Sequence, residues 1–375
     1  MKLILIRKRS NKTDKIVDKA LNLKYMKPQP RNSAGVHSQN AQFAGFSFAY
    51  PRNIRAELVI YTGLTGYLET LTDPSYQGQI LVFTSPQVGN YLPDLSRMQS
   101  PRIQVAGLLV RAYSPLPDCA NHTSLAQLLI SAQVPALMGV DTRSLTLAMR
   151  QESQAGREVD LISVPGKSLW NPAPPHPAEV GIQTPFFHRG GEKTVVLVDC
   201  GVKKRLLDLL LDAGLSVWQV PWDFDWRDLP HQGVLLSNGP GNPADCVRTI
   251  ASLKAGLNPQ IPVLGICLGA QLLAHAAGAD TAPLPFGHRG ANHPCRDRLS
   301  GACYITAMNH GYAIVAESLP PDWLPWFEHL HDGSCAGLKH LTFPWRGVQF
   351  HPEGCPGPTD TEFILNDFLE EVLHA

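Results

Sequence analysis

The sequence lacks a surplus of either charge: 32 basic side chains balance 32 acidic ones over 375 residues. With no global field to attract a polyanion, nucleic acid and anionic membrane surfaces have no electrostatic support as partners. Long apolar runs are also missing. Nothing approaches the ~20 apolar residues of a bilayer-spanning helix, and Leu3–Ile6 is shorter than a signal-peptide core of about 7–15 residues. The eight cysteines contain no CxxC pair and no dense framework, which points to free thiols in a reducing compartment such as the cytoplasm. Residues 193–375 contain no GxxxxGK[ST] loop, and no metal-ligand spacing stands out among the histidines. The chain itself is therefore expected to need no cofactor, neither nucleotide nor metal.

Neutrality conceals an asymmetry. Between Met1 and Arg31 there are ten Lys or Arg against two Asp, so the remainder is mildly acidic. Residues 1–40 read as a basic extension, disordered or diverged, with one weak amphipathic segment around Ile16–Leu23. Asp14, Asp18 and the preference for Lys over Arg count against an organellar transit peptide. Residues 41–165 alternate short apolar runs with turn signals. Strands are predicted over 57–62 and 79–84 and helices over 125–133 and 142–150, which makes a mixed α and β domain. Six prolines between Pro165 and Pro185 mark residues 166–192 as a linker. From 193 to 375 nearly all-apolar strands, predicted over 194–199, 216–220, 233–237 and 262–266, alternate with helices over 202–213 and 268–277. That pattern belongs to an α/β domain with a mostly parallel sheet and helices on both faces, whose functional groups follow the carboxyl ends of strands.

Three such strand ends carry chemistry. Gly265-Ile266-Cys267-Leu268-Gly269 is a thiol version of a nucleophile elbow, in which a tight strand-to-helix turn exposes Cys267 at a helix N-terminus that favours thiolate. His351-Pro352-Glu353 follows the apolar segment 347–350. His351 can serve the thiol as base, and Glu353, two positions on, can hold the ring's other nitrogen. Ser237-Asn238-Gly239-Pro240-Gly241 follows a third strand. Since Pro240 has no N–H, Gly239, Gly241 and Leu268 are the candidate backbone donors to a developing oxyanion.

Together these residues resemble class I glutamine amidotransferases. The segments SNGPGNPADC, PVLGICLGAQLLAHAAGA, FGHRGANHP, ITAMNHGYAI and GVQFHPEGCPGP, in this order, look like the small, glutamine-hydrolysing subunit of carbamoyl-phosphate synthase. TGLTGYLETLTDPSYQGQILVFTSPQVGN and VDTRSLTLAMR resemble that subunit's own first domain, so the likeness runs from about Ala41 to the carboxyl terminus. It implies a Cys267–His351–Glu353 triad that hydrolyses glutamine to glutamate and ammonia through a γ-glutamyl thioester. It further implies Gly239 and Leu268 as oxyanion donors, and Gly63, Gly241, Gln271, Asn309, Gly311 and Tyr312 as groups that bind the amino-acid moiety.

The resemblance also implies a partner. A separate large subunit would receive the ammonia and use ATP, Mg and bicarbonate to make carbamoyl phosphate for arginine or pyrimidine synthesis, with the first domain as docking platform. Three positions depart from the usual pattern: Gly63 where some members have Ser, Ala270 where His is common, and Met308 where Gln is common. None removes a triad group, so altered packing is expected there. Alternative readings are a catalytically silent paralogue or a stand-alone γ-glutamyl amide hydrolase. The aromatic run Trp218, Trp222, Phe224 and Trp226 reads as packing.

Overall fold

A computed structural model describes residues 34–375 apart from 39–40, 87, 115–122, 152–157 and 165. The basic extension to residue 33, with its weak amphipathic segment, lies outside the described residues.

The first domain is built on a nine-stranded sheet. Its strands are β1 (Gly35–His37), β2 (Gln42–Ala44), β3 (Phe46–Ser47), β4 (Asn53–Tyr61), β5 (Ile80–Phe83), β6 (Gly107–Val110), β7 (Ala136–Met138), β8 (Glu158–Ile162) and β9 (Leu169–Trp170). The order is β2-β1-β8-β4-β5-β6-β7-β3, with β9 pairing β4 and the run β4-β5-β6-β7 parallel. β5 and β6 are buried at every residue, and their side chains alternate between two cores. Leu81 and Phe83 join Leu68, Leu71, Leu125 and Leu129 from helices α1 (Tyr67–Thr72) and α2 (Leu125–Ser131). Ile80 and Val82 join Leu145 and Met149 from α3 (Thr142–Gln151) on the opposite face.

Two boundaries differ from expectation. β1 pairs with β8 and β2, so ordered structure begins before residue 41. The proline-rich segment is not a free tether either: β9 joins the first sheet, and β10 (Phe186–His188) joins the second. Proline disfavours central strands, and both additions are short pieces.

The second domain carries a ten-stranded sheet. β11 (Thr194–Asp199), β12 (Ser216–Pro221), β13 (Gly233–Leu236), β14 (Val263–Ile266) and β19 (Trp345–Val348) form a parallel half, within a few residues of the predicted segments. Val195 and Leu197 face one core, Val196 and Val198 the other. Helices α4 (Lys204–Asp212), α5 (Val247–Gly256), α6 (Leu268–Ala277) and α7 (Phe363–His374) cover it. The sheet continues into an antiparallel half made of β15 (Thr281–Asp297), β16 (Cys303–Ile314), β17 (Trp323–His329) and β18 (Cys335–His340). Trp226 is buried, while Trp218, Trp222 and Phe224 pack against the same core, so the aromatic run is packing. The seven described cysteines are unpaired.

Candidate active site

The thiol stands where β14 meets α6. Cys267 has φ 54° and ψ −107°, a region a side-chain-bearing residue enters at a cost of about 1–3 kcal/mol. Close packing holds it there. A Cβ at Gly265 would lie 2.5 Å from the Gly269 carbonyl oxygen, and one at Gly269 would lie 2.2 Å from that of Leu236. Only glycine lets the helix approach the sheet this closely. Cys267 N–H donates to Val348 O at 2.8 Å, and its Sγ lies 3.5 Å from Asn309 O and 3.6 Å from Gln349 Nε2.

His351 follows the next strand over, β19, with its N–H on Ala307 O at 2.9 Å. Its Nδ1 meets Glu353 Oε1 at 2.7 Å. That leaves Nε2 as the nitrogen for Cys267, whose sulfur favours the protonated ring. Glu353 Oε1 also pairs with Lys203 Nζ at 2.9 Å, and Lys203 donates to Gly354 O as well. Lys203, His351 and Glu353 are each 2% exposed. Burial by itself disfavours charge on His351 and Glu353 alike. Their mutual attraction, with Lys203 reinforcing it at Glu353, outweighs that: His351 is raised above its ordinary value and Glu353 lowered. The ionised set carries one surplus positive charge beside the thiol. Sequence reasoning missed Lys203, a lysine in an unremarkable helix start whose burial only the fold reveals.

A cavity of about 360 Å³ opens on Cys267. Gly239, Gly241, Leu268, Gln271, Asn309, Gly311 and Tyr312 all line it. A Cβ at Gly239 would lie 2.1 Å from Cys200 O, so the turn beside the thiol admits no side chain. Gln271 commits its amide N–H groups to Tyr312 O (2.7 Å) and Gln349 Oε1 (2.9 Å), leaving its carbonyl oxygen for a ligand. Asn309 Nδ2 is buried with no protein partner. Arg289, also missed from sequence, brings a cation to the same wall.

Gly63 is not among the lining residues. The space where its side chain would project is taken by the Tyr61 ring, whose hydroxyl would lie 2.3 Å from an added Cβ. The first domain instead contributes Glu57, Ser75, Gln79 and Glu158, and the proline-rich segment contributes Pro175. Ala270 lies against Gly347, whose added Cβ would come within 2.8 Å of the Ala270 Cβ, and Met308 is buried in the core. Among the described residues one group has the arrangement to hold a cation, His288, His329 and Asp332, and it is not part of this cavity's lining.

Comparison with known proteins agrees with both halves. Residues 36–157 match the model of the carbamoyl-phosphate synthase small chain, CPSase domain, and residues 196–371 that of glutamine amidotransferase class-I. The arginine-specific small chain of carbamoyl phosphate synthase from Saccharomyces cerevisiae is 39% identical, over 88% of this chain and 86% of its own length. The chain belongs to the carbamoyl phosphate synthase small-chain family. Multifunctional protein pyr-3 of Neurospora crassa is also 39% identical over 88% of the chain, which spans only 20% of that protein's length. A glutamine amidotransferase structure from Thermotoga maritima is 18% identical, with a TM-score of 0.36, over 50% of this chain and 85% of its own. Among the described residues no helix is long and apolar enough to cross a membrane.

Proposed function

We propose that this small chain hydrolyses glutamine to glutamate and ammonia and passes the ammonia to a large synthetase subunit that makes carbamoyl phosphate. The observation that carries the reading is Cys267 held at φ 54° on a helix N-terminus, beside an imidazole that Glu353 grips at 2.7 Å. The thiolate attacks the side-chain amide carbon of glutamine. Negative charge develops on its oxygen, where the N–H groups of Gly239 and Leu268 stabilise it. The tetrahedral species collapses as His351 gives its proton to the leaving nitrogen, producing ammonia and a γ-glutamyl thioester. Water then attacks the thioester, His351 takes its proton, and glutamate leaves as the thiolate is restored.

The cavity suits a zwitterion. Asn309 Nδ2 and the Arg289 guanidinium are donors for a carboxylate, while the Gln271 carbonyl, Glu57 and Glu158 can face an ammonium group. ATP, Mg and bicarbonate act on the partner, for which the first domain is the docking surface.

Glutamate release by the purified chain, alone and with a large synthetase subunit, tests this. Turnover is expected, accelerated by the partner and abolished by Cys267→Ser. Absence of turnover with the partner present would leave a silent paralogue, and full activity alone with no acceleration would indicate a stand-alone hydrolase.

A further inference from the structure

The antiparallel half of the second sheet gathers histidines that the proposed chemistry does not use. His288 Nε2 lies 2.8 Å from Asp332 Oδ2, and His329 Nδ1 lies 2.9 Å from Asp332 Oδ1. The two imidazoles stack with ring centroids 3.9 Å apart. One ligand atom from each of the three residues falls within 4.8 Å of the others. His288 comes from β15, His329 from the end of β17, and Asp332 from the turn that follows. The far nitrogens of both rings are also engaged. His288 Nδ1 meets His310 Nε2 at 3.3 Å, His310 Nδ1 meets Tyr312 O at 2.7 Å, and His329 Nε2 meets His293 Nδ1 at 3.1 Å.

The proton count along this chain is informative. The Tyr312 carbonyl can only accept, so His310 carries its proton on Nδ1 and must accept at Nε2. His288 Nδ1 is then a donor. In a neutral His288 the remaining nitrogen, Nε2, presents a lone pair to the Asp332 carboxylate at 2.8 Å, an arrangement that repels unless something positive lies between them. Either a proton or a metal ion can supply that charge. The outer hydrogen bonds are those a metal requires, since a ligating imidazole characteristically donates its other N–H to a fixed acceptor. Here His288 has His310, and His329 has His293.

We propose that His288 Nε2, His329 Nδ1 and Asp332 form a divalent-cation site of the zinc class. Two imidazoles and a carboxylate are a zinc donor set, with metal–ligand distances of about 2.0–2.2 Å. Closing on an ion requires only small side-chain shifts from the present spacing. His288 and His329 are buried and Asp332 is exposed, so the pocket is dry at its base and reachable from solvent. The adjoining cavity of about 650 Å³ leaves the remaining coordination positions to water. The ion would fasten the turn after β17 to β15. Through His310 it would also bear on the strand that carries Asn309 and Tyr312. The site stands independently of the glutaminase reading.

The test uses the full chain carrying Cys267→Ser, which removes the active-site thiol as a competing ligand. After stripping with a chelator, it is titrated with Zn²⁺ for stoichiometry and with Co²⁺ for its visible spectrum. One equivalent of each metal is expected, with a Co²⁺ spectrum free of thiolate charge-transfer bands and a higher thermal midpoint in Zn²⁺. Asp332→Asn and His329→Gln are each expected to weaken binding about tenfold or more. The exposed Asp332→Asn is decisive if the buried variant fails to fold, as circular dichroism would show. No stoichiometric uptake, or equal affinity in a folded Asp332→Asn protein, would overturn the site and leave a His288–Asp332 ion pair.

Discussion

The two halves of the second sheet do different work with different materials. In the parallel half the strands are mostly apolar, with Gln219 in β12 and Arg346 in β19 as internal polar residues, and the cavity is met where strands stop: Gly239 after β13 and Cys267 after β14, with His351 and Glu353 following β19. In the antiparallel half β15 and β16 carry polar residues within the strands and bring Arg289, Asn309 and Tyr312 to the cavity. A parallel strand enclosed by helices has only its end to offer. An antiparallel strand with one open face can offer any alternate residue. Under the proposed function, bond-making falls to the first half and ligand-holding to the second.

Four substitutions would break or sharpen that division, ordered by expected effect. Glu353→Gln should lower kcat by about 10⁴, as loss of an orienting carboxylate does elsewhere. The same change should move the alkaline limb of the pH–rate profile to lower pH. Glu353 raises His351, so without the carboxylate the ring loses its proton sooner. An unmoved limb would detach Glu353 from the imidazole. The linkage has a stability side as well. The raised His351 stabilises the fold below its ordinary value, and that contribution is lost as pH rises through the folded one. The lowered Glu353 contributes above the ordinary carboxylate range, and that share is lost as pH falls through its folded value.

Lys203→Met should cost about 3–5 kcal/mol in denaturant unfolding, because it strips a partner from a buried carboxylate. A cost below about 1 kcal/mol would mean that His351 alone satisfies Glu353. Gly239→Ala should reduce kcat by about 10²–10³, the usual price of a displaced oxyanion donor, since its methyl group would meet Cys200 O. The smallest effect falls on the antiparallel half. Asn309→Ala should raise KM for glutamine about tenfold, one hydrogen bond's worth, with kcat nearly unchanged. A drop in kcat at constant KM would erase the distinction between the halves.

The same contrast explains what was legible in sequence. Apolar runs ending in Gly-x-Cys-x-Gly or His-Pro-Glu announce the strand and its end together, so the strands of the parallel half were readable to within a few residues, and Cys267 was readable at a strand-to-helix turn with Glu353 on the His351 ring. β15 and β16 mix proline, glycine, histidine and arginine and bend through register shifts, a composition with no clean period of two. Lys203 was hidden because burial is a property of the fold, and the His288, His329 and Asp332 group because its members come from separate elements.

Asn238 is one of several ties between the two domains, beside Thr62 on Arg289 O and Gln99 O under Lys204 N–H. Its side-chain NH₂ donates to Ser75 Oγ of the first domain and to Gly201 O of the second, each at 3.0 Å, and its peptide leads directly into Gly239. A movement of the first domain therefore has a direct route to the Gly239 turn through this amide, without crossing either hydrophobic core. An amidotransferase domain cut free at residue 193 would keep Cys267, His351 and Glu353 and lose this tether. Its rate defect would then measure how firmly one domain sets the aim of the other's backbone.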